Sequence, residues 1–193
     1  MEQLSAHGFG HQAEKPTQIL SDEHRIIERV LDAVQRLSTA PARQNLPHWQ
    51  KAIEFIRGFA DQCHHCKEEQ VLFPALAAHG IPTEGGPVGM MLQEHEEGRA
   101  LVRGMMDALA RIDAGDDSAE AGLFDSAGQY LRLLREHIQK EDEVLFRMAD
   151  EVIPADEQKR LLQEFENHEV KEMGAGAHEK FLKIAAELEG ATG

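Results

Sequence analysis

The chain has 193 residues, enough for one domain with its own core and a short appendage. It carries 35 acidic against 20 basic residues, a formal charge of -15, so a phosphate backbone or an anionic lipid surface would repel it and neither nucleic acid nor membrane is expected as a partner. No apolar run approaches the ~18 residues of a membrane helix, and two cysteines are too few for a disulfide framework, which points to the cytoplasm. The unusual number is eleven histidines beside one Tyr and one Trp.

Residues 1–15 have no periodicity and read as a flexible tail. A first helix is predicted from about Thr17 to Ser38, with the stripe Leu20, His24, Ile27, Leu31, Val34 facing a core. A second runs from about Pro47 to His79 before Gly80, on Ile53, Ile56, Ala60, His64, Glu68 and Val71. Pro74 should kink it or end its regular part. After the loop IPTEGGP, a third spans about Val88 to Ile112 on Val88, Met91, His95, Val102, Met106 and Leu109. A fourth spans about Ala119 to Val152 on Ala127, Tyr130, Leu134, His137, Glu141, Leu145, Met148 and Val152, and Pro154 ends it. Residues Asp156 to Leu188 form two shorter helices broken at Gly174-Ala-Gly176. No strand pattern of useful length occurs. The expected fold is all-α: an up-down four-helix bundle over residues 16–153, with a C-terminal helical extension, 154–193, packed on it.

Each long helix sets a histidine on its apolar face, and two add a glutamate four residues later: His64/Glu68 and His137/Glu141. The chain also repeats itself. Lys67-Glu68-Glu69-Gln70-Val71-Leu72-Phe73 recurs 73 positions later as Lys140-Glu141-Asp142-Glu143-Val144-Leu145-Phe146, and Asp22-Glu23-His24 resembles Gln93-Glu94-His95. Two pseudo-equivalent helix pairs would bring four imidazoles and two carboxylates to one level of the core. Buried carboxylates need a partner or a metal, and this donor set suits two metal ions bridged by the glutamates. Imidazole admits iron, zinc, copper or nickel. Two divalent ions against two carboxylates leave positive charge for a hydroxide, an oxide or another anion, and that position is where small-molecule chemistry would occur.

These segments, HHCKEEQVLFP, LQEHEEGR and REHIQKEDEVLF with His24 before them, resemble the hemerythrin-like family, or HHE cation-binding domain, over about residues 17–152. The resemblance implies a non-haem di-iron centre, oxo- or hydroxo-bridged, with His24, His64, Glu68, His95, His137 and Glu141 at the ligand positions. Zinc or another divalent ion could enter a recombinant sample. The oxygen-carrying members have one more third-helix histidine, where this chain has Arg99, and an aspartate five residues after the fourth-helix histidine, where this chain has Glu141 at four. Both departures weaken the case for reversible oxygen carriage but leave metal binding intact. Further ligands or supporting groups would come from among His65, Glu69, His168, His178, Tyr130 and Arg99; the alternative readings are solvent or a bond to Glu69 for His65, a surface or capping role for His168 and His178, core filling for Tyr130 and an exposed salt bridge for Arg99. Cys63 and Cys66 read as small buried residues. His7, His11, His48 and His79 read as solvated.

The expected function is a protein that binds or senses dioxygen, nitric oxide or peroxide. Two alternatives stand beside it. One is an enzyme acting on peroxide or nitric oxide, or supplying iron for iron–sulfur repair. The other is a structural or regulatory bundle locked by zinc or another cation. No ExxH, HExxH or phosphate-binding glycine loop is present, which speaks against ferritin-type, zinc-protease and nucleotide chemistry.

Overall fold

A computed structural model of the protein describes residues 15–174 and 176–191; most of the expected tail, including His7 and His11, lies outside them. Among the described residues there are six helices of two or more turns and no strand. Helix α1 is Pro16–Leu37, opened by a proline whose fixed φ suits a first turn. Helix α2 covers residues 46–78 and ends at Gly80, whose positive φ of 88° suits a helix terminus. Helix α3 is Gly86–Asp113, entered through Gly85 and Gly86, which both hold a positive φ that a side chain would resist. Helix α4 covers residues 120–152, α5 is Ala155–Met173 and α6 is Ala177–Ala191. No helix among them is long and apolar enough to cross a membrane.

The core is split in two, and the split gives the topology. One apolar cluster takes Leu20 of α1, Val71 to Leu76 of α2, Val88 and Met91 of α3, and Leu145 to Ala149 of α4 with Ile153 just beyond it. A larger one takes Ile26 to Leu37, Trp49 to Ala60, Val102 to Ile112 and Leu123 to Ile138. Successive helices therefore meet the clusters in opposite order, as an up-down bundle requires. The histidines and glutamates fall in the layer between. The C-terminal helices repeat this layering: Leu161 and Phe165 of α5 join the smaller cluster, and Phe181, Ile184 and Leu188 of α6 join the larger.

Helices α2 and α4 are not regular. In α2 the stretches Ile56–His65 and Glu68–Leu72 are π-helical, and in α4 so is Glu141–Leu145. Hydrogen bonds that close on residue i−5 widen the turn, and such segments concentrate at functional sites. Two corrections follow. The regular part of α2 stops at Phe55, well before Pro74, and the chain continues as Phe73–Ala78 because the widened turn relieves the clash of the proline ring with Gln70. In α4 the extra residue shifts the buried stripe by one position. Beyond Leu145 the buried residues are Phe146, Ala149 and Ile153, while Met148 and Val152 are only half-buried.

Candidate metal centre

His24, His64, Glu68, His95, His137 and Glu141 are each at most 1% exposed and meet in the polar layer. Their atoms form two clusters whose donors lie within 4.8 Å of one another: His65, Glu68, His95 and His137 in one, His24, His64, Glu68 and Glu141 in the other. Both glutamates stand between the clusters. Glu68 lies 3.5 Å from Nε2 of His64 and 3.5 Å from Nε2 of His95. Glu141 lies 3.3 Å from Nε2 of His24 and 3.3 Å from Nε2 of His137.

His65 belongs to this set as a fifth imidazole. Neighbours in an α-helix are turned about 100° apart, but the π stretch that ends at His65 narrows that angle, so His64 faces one cluster and His65 the other. Its ring stacks on His95, with centroids 3.9 Å apart. In the second half of the repeat the equivalent residue is Ile138, on a regular α stretch, where it packs into the larger apolar cluster. The pseudo-symmetry breaks at this pair, leaving three imidazoles on one side and two on the other.

A ring of carboxylates behind the histidines orients them. Nδ1 of His24 pairs with Asp142 at 2.9 Å, His64 with Glu23 at 3.0 Å, His95 with Glu69 at 2.7 Å and His137 with Glu94 at 3.0 Å. With these Nδ1–H groups donating outward, each Nε2 presents a lone pair to the centre, the arrangement by which carboxylates fix metal-binding histidines. Lys67 donates to Glu23 and Lys140 to Glu94, so the repeat extends to these supports as well. Sequence reasoning missed Glu23, Glu94, Asp142 and the two lysines, although the duplicated Glu-His and Lys-Glu-acid segments contained them.

The centre is unbalanced without a cation. The four carboxylate oxygens of Glu68 and Glu141, and Nε2 of His24 and His64, are buried with no hydrogen-bond partner among the described residues. Nε2 of His95 and of His137 face each other at 3.2 Å, which requires a proton or a metal between two lone pairs. Burial and the neighbouring Glu141 drive the Glu68 carboxyl well above its usual range. Burial would raise Glu141 too, but His137 and His24 outweigh it and hold it well below. Burial disfavours a charge on His137, yet Glu141 and Glu94 raise it to about 9. Burial takes His64 down to about 4 despite Glu23. Protons thus occupy some donors where a cation would otherwise sit, which is the relation between metal binding and protonation. The donor set fits a pair of metal ions.

The remaining candidates lie around this layer. Glu69 holds His95 rather than His65, whose nearest carboxylate is Asp61 at 3.6 Å. Arg99 donates to Asp61, Glu69 and Glu96, strapping α3 to α2. Tyr130 is buried and lines a cavity beside His65, His95 and His137. His178 lies with Glu23 and Glu169, behind His64 rather than in the centre. His168 joins neither cluster among the described residues. The thiol of Cys63 is buried and pushed up to about 12 by that burial, with Glu23 adding to it. His79 is not solvated as expected: it bonds Glu157 of α5 at 2.7 Å.

The sequence profile of the hemerythrin HHE cation-binding domain matches residues 15–149. An uncharacterized protein of Mycobacterium bovis and one of Mycobacterium tuberculosis are each 26% identical over 178 residues, which cover 90% of this chain and 69% of the relative. No solved structure matches the chain.

Proposed function

The chain belongs to the hemerythrin HHE cation-binding domain family, and we propose that its buried layer holds two iron ions and binds or senses a small oxidant: dioxygen, peroxide or nitric oxide. The observation that supports this best is the position of Glu68 and Glu141, each fully buried, each without a hydrogen-bond partner among the described residues and each between histidines of both clusters. His65, His95 and His137 would hold one ion, His24 and His64 the other, and the two glutamates would span both. When bound, the ions would supply a redox-active Lewis acid.

The chain's own residues do the rest. Asp142, Glu23, Glu69 and Glu94 hold the imidazoles in one tautomer and aim them inward. The two apolar clusters exclude water above and below the layer. His65 would contribute the imidazole that position 99, an arginine paired with three carboxylates, lacks. Neither cluster offers six donors, so each leaves room for a small exogenous ligand. Residues 16–153 are the metal-holding unit in this reading, and helices α5 and α6 cover one side of it. Two free cysteines suit a reducing compartment such as the cytoplasm.

Protein from iron-supplemented cells is expected to hold about two iron ions per chain. It should show a visible charge-transfer band that fades on reduction and returns in air. A colourless protein that holds only zinc, with no response to reduction, overturns the reading, as does full iron content in His64→Ala.

A further inference from the structure

One side of the polar layer opens into a cavity of about 300 Å³. Its floor is His65, His95 and His137, and its walls include Ile56, Val102, Met106 and Leu134. A diatomic molecule or peroxide would fill only a small part of it. The volume lies at the lower end of pockets that hold organic ligands, and the lining has their usual character of apolar walls with a few polar groups.

The polar groups specify the charge of the occupant. Two carboxylates line the cavity, Asp61 and Glu94, and both are neutralised: Asp61 by Arg99 at 2.8 Å, Glu94 by Lys140 and His137. The cations Arg57 and Arg103, also in the lining, are exposed and have no carboxylate partner among the described residues. Tyr130 is 3% exposed, lines the same cavity and has no hydrogen-bond partner for its hydroxyl among the described residues. Its hydroxyl is not sealed off like the orphaned atoms of the metal layer; it meets the open space of the cavity, where an acceptor in that space can reach it.

We propose that this cavity binds a small organic monocarboxylate with an apolar tail of a few carbons. The carboxylate is drawn in by Arg57 and Arg103 and accepts a hydrogen bond from the Tyr130 hydroxyl, while the tail packs on Ile56, Val102, Met106 and Leu134. The proposal deepens the metal-centre reading by naming an organic ligand for the space beside that centre, but its binding contacts come from residues that hold no metal.

Hexanoate is the probe, titrated calorimetrically into both iron-loaded and chelated protein, with acetate and hexanol for comparison. Hexanoate is expected to bind at least about tenfold more tightly than either, since acetate lacks the tail and hexanol the charge. Tyr130→Phe keeps the shape and removes the donor, so its affinity for hexanoate should fall about tenfold with iron content and spectrum unchanged. The double variant Arg57→Glu/Arg103→Glu should weaken hexanoate and leave hexanol unaffected. Acetate binding as tightly as hexanoate overturns the proposal, because it would mark an ordinary anion at the metal. So does unaltered binding in both variants, or no binding of hexanoate to protein carrying its full iron. A chain that takes up no iron would instead remove the metal-centre reading, and titration of the metal-free protein would still decide the cavity.

Discussion

At the scale of single residues, the centre depends on charges that only their neighbours make tolerable. Lys67 and Lys140 are repeat equivalents, yet their surroundings differ. The Lys67 side chain is 2% exposed and donates to both Glu23 and Glu169, while that of Lys140 is 35% exposed and, among the described residues, donates to Glu94 alone. Removing one partner of a buried pair leaves an uncompensated charge, at about 3–5 kcal/mol, whereas a partly solvated pair is worth about 1 kcal/mol or less. Chemical denaturation of Lys67→Met is therefore expected to show a large loss of stability and of Lys140→Met a small one. His65 gives a second expectation. His65→Ile would make the α2 position match Ile138 of α4 and leave two imidazoles in each cluster. Iron retention against a competing chelator should fall by at least about 10–100-fold relative to the unaltered chain, the range found when only the groups that orient a metal's ligands are disturbed. Equal retention would remove His65 from the ligand set.

At the scale of elements, the π segments decide which side chains reach the layer. They occur where the polar residues interrupt the apolar stripe, at 56–65 and 68–72 in α2 and 141–145 in α4. Composition and periodicity give no direct signal for them: an α period predicts Met148 and Val152 inward, and the structure buries Ala149 and Ile153 instead. The crossing of α2 and α6 is set by close packing. A Cβ on Gly58 would fall 2.1 Å from Cζ of Phe181, a ring 5% exposed and held by Phe55 and Phe59. In an open helix Gly→Ala stabilises by about 1 kcal/mol; here overpacking of about 1–3 kcal/mol opposes it. Gly58→Ala is expected to melt lower than the parent, and adding Phe181→Leu should recover part of the loss. A Gly58→Ala protein that melts higher would show that α6 is loosely held.

At the scale of the whole molecule, folding and metal are linked, because the folded chain alone assembles the donors. Metal at a thousand times its dissociation constant contributes about 4 kcal/mol to the folded state, or roughly 10 °C in melting temperature for a chain of this size. Chelation should lower the melting temperature by that order, and identical melting with and without metal would contradict the linkage. The sequence by itself determined the helices and their alternating direction, because apolar spacing, glycine and proline act locally. It also determined that His24, His64, Glu68, His95, His137 and Glu141 share one layer, because each sits in phase on its own stripe and the repeat aligns the helix pairs. Only the tertiary structure decided that His65 turns inward and Ile138 does not, since that depends on the helix widening in one half alone. Only it decided which carboxylate supports which imidazole, because those partners sit on different helices, 26 to 118 positions apart along the chain. The extension follows the same rule. Its layering is written in its apolar residues, but Glu169 reaching Lys67 behind His64 exists only where three helices meet.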